Sequence, residues 1–268
     1  MTDMKEQILS FLPPEYPWKD RLSVFPELDS TNNRLKVLAS QGAPHGTVLI
    51  ADRQTGGRGR MGRSFLSPPG VGIYMSILLR PKCAPQKLMH LTCAAAAAMC
   101  RAVERAVHLR PGIKWTNDLV WGKQKLAGIL TEMGLNPAGG VGWAIVGIGV
   151  NCCQRAEDFP PEIRDRACSL AMAAGRVIDR CRVAAAMMEA LWEMDASLFT
   201  GKEDMLRFYR ENCVTLGKEI SVVGAGEIRH GHALDVDDEG ALVVQFSDSR
   251  VEAVNAGEVS VRGMYGYV

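Results

Sequence analysis

The sequence lacks the features that mark several large classes of protein. No stretch of it approaches the roughly 20 apolar residues that a membrane-spanning helix needs. The acidic residues near the N-terminus are followed by no apolar run of signal-peptide length. A formal net charge of +1 makes no general case for nucleic acid or an anionic membrane as a partner.

The cysteines are informative for what they do not form. The chain has 8 of them with no Cys-x-x-Cys pair, and Cys152 and Cys153 are adjacent. This spacing is typical of neither a disulfide framework nor a zinc site. We therefore expect reduced thiols and a cytoplasmic protein.

Composition and the order of apolar segments predict an α+β fold with two domains. With 47% hydrophobic and 23% charged residues, the chain has an ordinary globular composition. The larger domain is expected to cover 1–212, where 1–22 form a proline-punctuated lead. Residues 213–268 show short apolar runs between glycine-rich turns, which predicts a small antiparallel β-barrel.

Hydrophobic periodicity places the individual elements. Helical patterns run from Leu35 to near Gly42, over 86–108 and over 182–212. Strands of the larger domain are predicted at 47–51, 73–79, 113–115, 119–121, 125–132 and 142–151. Those of the smaller domain are predicted at 220–223, 233–236, 241–246 and 250–254.

Residues 56–63, Gly-Gly-Arg-Gly-Arg-Met-Gly-Arg, form what we call the glycine–arginine loop. Its four glycines carry no side chains, so backbone N–H groups can approach a ligand closely. Its three arginines supply forked cationic donors that fit a carboxylate or a phosphate. Taken alone, the loop is either an anion clamp or a solvated basic turn, because glycine-rich matches are weak signals.

Three further segments each allow two interpretations. Residues 29–32, Asp-Ser-Thr-Asn, either cap a helix or present hydroxyl groups to a ligand. Residues 114–118, Lys-Trp-Thr-Asn-Asp, either form an ordinary turn or hold Mg²⁺ and phosphate. Residues 125–128, Lys-Leu-Ala-Gly, carry either a solvated lysine or one beside a ligand that lies against the small residues.

Taken in order, these segments resemble the biotin protein ligases. The matching blocks are Ser-Thr-Asn at 30–32, Gln54 with the glycine–arginine loop, Lys-Trp-x-Asn-Asp at 114–118, Lys-Leu-Ala-Gly-Ile-Leu at 125–130 and Gly-x-Gly-x-Asn at 147–151. Five blocks in one order form a specific signal. The resemblance implies a catalytic domain with the class II aminoacyl-tRNA-synthetase-like fold, a mixed sheet with helices. More loosely, it implies a small C-terminal SH3-like β domain.

The resemblance further implies an enzyme that joins biotin to a protein in two steps. The biotin carboxylate first attacks the α-phosphate of ATP, which gives biotinyl-5′-AMP and pyrophosphate. A lysine of a biotin carboxyl carrier protein or domain then attacks this mixed anhydride, which gives the amide and AMP. ATP and Mg²⁺ are expected beside the substrate biotin, with no tightly bound cofactor. No covalent enzyme intermediate is expected, which fits the lack of a recognisable Ser–His or Cys–His pattern.

The same resemblance assigns roles to residues of this chain. The expected catalytic residues are Lys125 as first choice, then Arg58, Asp118 and Lys114, with Asp118 also a candidate ligand of Mg²⁺ and a candidate base for the acceptor lysine. Polar groups expected to contact biotin are Ser30, Thr31, Asn32, Gln54, Arg58, Gly59, Arg60, Lys125 and Gly128. Its apolar part is expected to meet Ile129, Leu130 and Ile148. Residues expected to contact ATP or the adenylate are Arg58, Arg60, Phe65, Lys114, Asn117 and Asn151.

Two positions depart from the family pattern. Thr116 stands where proline is usual, and Phe65 stands where tryptophan is common. Neither departure removes a charged or hydrogen-bonding group from the expected site, so we expect activity to survive both.

Rival functions and partners stay open at this point. A lipoate ligase or octanoyl transferase would share the fold, and a biotin sensor would bind without turnover. The glycine–arginine loop and the block at 125–130 favour biotin. Bifunctional family members repress genes through an N-terminal DNA-binding domain, for which the residues before the first strand are too few. We therefore expect no DNA and no membrane partner, and a homodimer is open.

Overall fold

A mixed seven-stranded sheet forms the centre of the larger domain. The computed structural model describes residues 3–224, 227–255 and 258–261. Within them the strands of this sheet are β1 (Leu22–Leu28), β2 (Thr47–Gln54), β3 (Gly72–Leu79), β4 (Gly112–Lys114), β5 (Asp118–Trp121), β6 (Gln124–Leu135) and β7 (Val141–Asn151). Their order is β1-β2-β3-β7-β6-β5-β4; β1 and β2 run parallel, and the other neighbours are antiparallel. The predicted mixed α+β fold class is confirmed.

Helices cover both faces of this sheet. They are α1 (Met4–Ser10), α2 (Thr31–Ser40), α3 (Leu91–Val107), α4 (Pro161–Arg164), α5 (Leu170–Ala174), α6 (Arg180–Ser197) and α7 (Lys202–Asn212). On one face Leu35 of α2 packs against Leu49, Leu78 and Ile145. On the other face α3 and α6 pack together, and the alanines over 94–98 of α3 permit a close approach. In the described ranges no helix is both long enough and apolar enough to cross a bilayer.

The N-terminal residues contain a helix that the sequence analysis did not predict. Helix α1 begins after Asp3, whose side chain accepts a hydrogen bond from the Lys5 N–H. Ile8 of this helix and the following Tyr16 and Trp18 are buried in the main core. The segment is therefore part of the packed domain, although prolines interrupt it.

Two other helical segments differ from their predicted bounds. The pattern over 182–212 divides near Gly201, so that it contains most of α6 and all of α7. The helix expected from residue 86 begins at Leu91, because a 3₁₀ turn over Pro85–Leu88 precedes it. The short helices α4 and α5 were not predicted at all, since four- and five-residue helices show no periodicity.

A second, antiparallel sheet follows α7. Its strands are β8 (Glu219–Gly224), β9 (Glu227–Val236), β10 (Leu242–Phe246), β11 (Val251–Val254) and β12 (Glu258–Val261), in the order β11-β10-β9-β8-β12. This confirms a small β unit, although β12 was not among the predicted strands. Residues 262–268 of the predicted domain lie outside the described residues, and the division between 212 and 213 stays a prediction.

The two sheets meet through the segment that follows α7. The backbone of Cys213 forms an isolated parallel β-bridge with Ile113 of β4, and the Val214 N–H donates to the Ile113 carbonyl at 2.9 Å. The buried Thr215 hydroxyl accepts a hydrogen bond from the Trp115 N–H at 3.0 Å. The second sheet is thereby attached directly to the strand that leads into the 114–118 segment.

Candidate active site

A cavity of about 140 Å³ lies on the face of the mixed sheet that carries α2. Its lining includes the predicted site residues Ser30, Thr31, Asn32, Gln54, Arg58, Gly59, Arg60, Phe65, Lys114, Asn117, Asp118, Lys125, Gly128, Ile129, Leu130 and Ile148. Asn151 is the predicted residue that lies elsewhere. Segments far apart in the chain are thus brought together, while the role of each side chain stays a prediction.

The start of α2 supplies both a helix cap and a wall of the cavity. Ser30 is the N-cap, and its hydroxyl accepts from the Asn33 N–H at 3.5 Å. The N–H and hydroxyl of Thr31 donate to Gln54 Oε1 at 2.9 and 3.1 Å. Gln54 in turn donates from Nε2 to the Ser67 hydroxyl at 3.1 Å. The two interpretations of this segment therefore do not exclude each other.

Asn32 is held tightly between strands. Its Oδ1 accepts from the Ser76 hydroxyl at 2.6 Å, and its Nδ2 donates to the Leu130 carbonyl at 3.3 Å. A Cβ added to Gly147 would lie 2.0 Å from Asn32 Oδ1, so a side chain at that position would displace the amide. Glycine in the Gly-x-Gly-x-Asn block thus makes room for Asn32.

The tip of the glycine–arginine loop folds back on itself. The Gly59 N–H donates to the Arg63 carbonyl at 2.7 Å, and the Phe65 N–H donates to the Gly57 carbonyl at 2.9 Å. Met61 has a φ of 55°, in the left-handed region, and is 69% exposed. The main chain of the tip is therefore held by hydrogen bonds of its own segment.

The arginines of this loop reach polar groups on other elements. Arg58 donates to Glu132 and, at 3.1 Å, to Asn33 Oδ1. Arg60 donates to Asn117 Oδ1 at 3.1 Å. The side chain of Arg58 is 38% exposed, so water weakens its ion pair with Glu132.

Glu132 of β6 collects several donors. Its carboxylate pairs with Lys36 and Arg58 and accepts from Asn32 Nδ2 at 2.9 Å. Burial alone raises the pKa of Glu132, but these hydrogen bonds and charges outweigh burial and hold that pKa below the usual glutamate range. The sequence analysis missed Glu132, because one glutamate near the end of a strand pattern carries no signal of its own.

An aromatic ring lies over two glycines of the sheet. Strand register places Asp118, Gly128 and Gly149 side by side on β5, β6 and β7. A Cβ on Gly149 would lie 2.5 Å from the Phe65 ring, and one on Gly128 would lie 3.5 Å from it. Phe65 also meets Tyr74 edge-on, with ring centroids 6.4 Å apart. The glycines therefore let Phe65 form a wall directly against the sheet.

The 114–118 segment contributes a lysine and a carboxylate. Lys114, which ends β4, is 7% exposed. Asp118 Oδ1 lies 2.7 Å from Lys125 Nζ, but this charge contact is not aligned as a hydrogen bond, and no described residue donates one to that buried oxygen. This carboxylate already has a cationic partner in Lys125, and carboxylates are also ligands of Mg²⁺, which binds one or two of them beside phosphate oxygens. Within the described ranges no cluster of three or more His, Cys, Asp or Glu residues could hold a metal alone.

Comparisons with known proteins agree with this arrangement. Residues 24–151 match the model of the Biotin/lipoate A/B protein ligase family, and residues 215–262 match that of the Biotin protein ligase C terminal domain. The chain is 36% identical over 222 residues to the Bifunctional ligase/repressor BirA of Bacillus subtilis. This alignment covers 82% of this chain and 68% of the BirA protein. The chain belongs to the biotin protein ligase family.

Two further similarities extend over both sheets. The Biotin–[acetyl-CoA-carboxylase] ligase of Mycobacterium tuberculosis is 32% identical over 248 residues, which are 90% of this chain and 89% of that protein. The solved structure of the biotin protein ligase from Aquifex aeolicus in complex with biotin and ATP aligns with a TM-score of 0.75 at 30% identity. That alignment covers 90% of this chain and 98% of the Aquifex chain.

In this biotin protein ligase family member, Asn151 lies outside the cavity lining and stabilises the main chain beside it. The residue is buried at the end of β7, and its Nδ2 donates to the carbonyls of Lys125 at 3.3 Å and Cys168 at 3.2 Å. It thus fixes the main chain of the lysine that faces the cavity. Its contact with an adenylate stays a prediction.

Sequence reasoning missed several residues around the cavity, among them Ser76, Glu132 and Val259. Ser76 and Glu132 bind Asn32, and Val259 of β12 lines the cavity from the second sheet. Ser76 lies opposite Gly147 in the pairing of β3 with β7, so strand register was the signal that could have found it. No local pattern could have indicated Val259, because its position depends on how the two sheets meet.

Proposed function

We propose that this chain is an ATP-dependent biotin protein ligase that forms biotinyl-5′-AMP and transfers biotin to a lysine of a biotin carboxyl carrier protein or domain. The observation that carries the proposal is that five cationic residues line a cavity with an apolar side. The cations are Arg58, Arg60, Arg63, Lys114 and Lys125, and the apolar residues are Ile129, Leu130 and Ile148. The cations suit a carboxylate and phosphates, and the apolar residues suit an aliphatic chain and a thioether ring.

Uncharged polar groups suit the ureido ring of biotin. A ureido group donates two hydrogen bonds and accepts others at its oxygen. Ser30 and Thr31 present hydroxyls that can do either, and Gln54 presents an amide that can do both. A pocket with this chemistry binds a neutral polar ring better than a charged one.

The first step places a new bond between a biotin carboxylate oxygen and the α-phosphorus of ATP. The bond from that phosphorus to pyrophosphate breaks, and negative charge grows on the leaving oxygens. Lys125, which lines the cavity, would hold the carboxylate beside the α-phosphate, while Arg58, Arg60 and Lys114 would offset the charge of the phosphates. No proton is transferred in this step.

Mg²⁺ fits the site through Asp118. The Asp118 carboxylate lines the cavity and would hold the ion together with the phosphates of ATP. When bound, the ion supplies charge neutralisation of the β- and γ-phosphates. Asn117, which ends the turn before Asp118, donates to the Ile129 carbonyl at 2.9 Å and keeps the carboxylate in place.

The second step transfers the acyl group to an amine. The carbon–nitrogen bond forms, the bond from the acyl carbon to the phosphate oxygen breaks, and AMP leaves with its charge. The attacking lysine must lose a proton, and Asp118, 14% exposed beside Lys125, is the carboxylate of the cavity that could take it.

Partner and compartment follow from the same chemistry. The carrier protein of a biotin-dependent carboxylase is the acceptor class that this reaction requires, and relatives carry the name biotin–[acetyl-CoA-carboxylase] ligase. All eight cysteines are free thiols, which supports a reducing compartment and hence the cytoplasm, where ATP is supplied. A homodimer through sheet edges stays part of the proposal.

The deciding experiment is exchange of labelled pyrophosphate into ATP, with biotin, lipoate or octanoate as the acid. We expect exchange with biotin and Mg²⁺, followed by a mass increase of one biotinyl group on a carrier-domain lysine. Exchange with lipoate or octanoate but not with biotin would overturn the assignment in favour of the related ligases. Binding of biotin with neither exchange nor labelling would make the chain a sensor.

A further inference from the structure

The turn that joins β9 and β10, residues 237–241, touches the active-site segment from the second sheet. We call it the β9–β10 turn. Its Gly240 carbonyl accepts a hydrogen bond from Trp115 Nε1 at 2.9 Å, and Trp115 is 5% exposed and lines the cavity. Gly240 has a φ of 84°, and a Cβ there would lie 2.9 Å from Cys93 Sγ. The turn is therefore pressed between α3 and Trp115.

Helix α7 makes a second contact with the same segment. The Tyr209 hydroxyl donates to the Thr116 carbonyl at 3.2 Å, and Tyr209 is fully buried. Cys93 Sγ lies 3.6 Å from the Thr116 hydroxyl and 3.7 Å from the Gly240 carbonyl. The β9–β10 turn, α7 and α3 thus converge on two consecutive residues, Trp115 and Thr116.

Trp115 and Thr116 directly precede two polar residues of the cavity lining in the chain. Asn117 follows them and accepts from Arg60 at 3.1 Å, and Asp118 then meets Lys125 at 2.7 Å. A displacement of Trp115 or Thr116 is carried by the peptide chain to both side chains. The groups proposed for the ureido ring of biotin are attached differently, because Thr31 and Gln54 bond to each other on α2 and β2.

We infer that the β9–β10 turn and Tyr209 position Asn117 and Asp118, and thereby set the affinity of the site for ATP more strongly than its affinity for biotin. They act as positioning residues and touch no substrate themselves. The inference rests on the proposed function. It gives the second sheet a specific task in the first step of the reaction.

The test changes Asp237, which shapes the turn from its outer side. Asp237 Oδ1 accepts from the Glu239 N–H at 2.9 Å and from the Ala241 N–H at 2.8 Å. The Asp237→Ala substitution removes both hydrogen bonds, whereas Asp237→Asn keeps an acceptor oxygen in the same place. Asp237 is half-buried and lies outside the cavity lining, so loss of folding is not expected.

The chain offers a matched control in the turn that joins β6 and β7. Asn136 Oδ1 there accepts from the N–H groups of Ala138 and Gly140, each at 3.0 Å. The spacing of residues is the same as in the β9–β10 turn, and Gly139 has a φ of 80°. A Cβ on Gly139 would meet no atom within 4 Å, in contrast to Gly240. Asn136→Ala therefore loosens an equivalent turn that touches no active-site residue.

The readouts are the KM for ATP in biotin-dependent pyrophosphate exchange, the Kd for biotin alone and the thermal unfolding midpoint. We expect Asp237→Ala to raise the KM for ATP about tenfold, since small misplacements of positioning groups have effects of this size or larger. Asp237→Asn and Asn136→Ala should stay within about twofold of the wild type, and in Asp237→Ala the Kd for biotin should rise by a smaller factor than the KM for ATP. Equal ATP KM values for Asp237→Ala and Asn136→Ala would overturn the inference while exchange by the wild type supports the proposed function. No exchange by the wild type would overturn both.

A second pair of variants tests the contact from α7. Tyr209→Phe removes the hydroxyl that holds Thr116, and Tyr16→Phe removes an equally buried hydroxyl that donates to the Met188 carbonyl at 2.9 Å far from the cavity. Both variants should unfold at similarly lower temperatures. A rise in the KM for ATP is expected for Tyr209→Phe alone, and an equal rise in both would contradict positioning.

Discussion

Two parts of the cavity lining, the glycine–arginine loop and the 114–118 segment, are held in place by different kinds of contact. The tip of the glycine–arginine loop is held by hydrogen bonds of its own segment, and its arginines reach other elements: Arg58, 38% exposed, pairs with Glu132, and Arg60 donates to Asn117. The 114–118 segment is instead held by the buried groups of Tyr209, Thr215 and the Gly240 carbonyl. Breaking an exposed ion pair costs about 0–1 kcal/mol, whereas leaving a buried polar group unpaired costs about 1–3 kcal/mol. The glycine–arginine loop can therefore exchange its partners for a ligand, whereas the 114–118 segment holds its groups in fixed positions.

The largest effect is expected from Lys125, which pairs with Asp118 of the 114–118 segment. Lys125→Ala should lower kcat/KM for biotin-dependent pyrophosphate exchange by about 10²–10³-fold, because a fixed charge at the reacting phosphate is lost. Lys123→Ala, an exposed lysine in the turn between β5 and β6, is the matched control and should behave as the wild type. A loss of less than about tenfold in Lys125→Ala would place the reacting atoms elsewhere.

A smaller effect is expected from the glycine–arginine loop. Arg58→Ala should release biotinyl-5′-AMP about 10–100-fold faster, because a charge-assisted bond to the ligand is lost, and bystander proteins should become labelled. Release of the labelled adenylate measures this directly. Arg53→Ala, which breaks the exposed pair with Glu27, is the control. Unchanged retention in Arg58→Ala would mean that this loop is as fixed as the 114–118 segment.

The aromatic ring of Phe65 gives a third test. Gly149→Ala places a Cβ 2.5 Å from the Phe65 ring, which must then move away from the sheet. We expect about tenfold weaker binding of biotinyl-5′-AMP, measured by titration calorimetry, because the apolar wall is displaced. Gly139→Ala, at a φ of 80° with open space around it, controls for loss of stability alone. Equal binding by the two variants would remove Phe65 from the site.

The smallest effect concerns pH. The pKa of Glu132 lies below the ordinary value of 4.5 in the folded protein, so its contribution to stability is present above pH 4.5 and is lost as pH falls through the lower, folded pKa. As pH falls from about 5 to 3, the unfolding midpoint of the wild type should therefore drop further than that of Glu132→Gln. Parallel curves would show that the ion pairs of Glu132 add nothing to the resting position of the loop.

The resemblance to biotin protein ligases, carried by five motifs in one order, predicted most of the residues that line the cavity. Arginine, lysine and glycine at fixed places in the chain carry that signal without knowledge of the fold. The local sequence around Ser76 and Glu132 carries no such signal, because only the pairing of β3, β7 and β6 brings these residues to Asn32. The fold class followed from periodicity, whereas α1 did not, because seven residues beside prolines show too little pattern.

The two departures from the family pattern lie in different segments of the chain. Phe65 keeps an aromatic ring over Gly128 and Gly149, so the smaller side chain still covers the sheet. Thr116 keeps its carbonyl in a hydrogen bond with Tyr209 and its hydroxyl near Cys93. Both side chains have well-defined neighbours, which supports the expectation that activity survives the departures.

The cavity draws its lining from Ser30 near the start of the chain to Val259 close to its end. During translation, a nascent chain that has reached Asn151 already contains every recognised motif but not the second sheet that bears Val259. Contacts between residues so distant in sequence form late, after the local ones. A nascent chain must therefore extend through Val259 before every residue of the lining is present. A chain that ended at Asn151 would contain the recognised motifs but would lack the second sheet and the part of the cavity lining that Val259 provides.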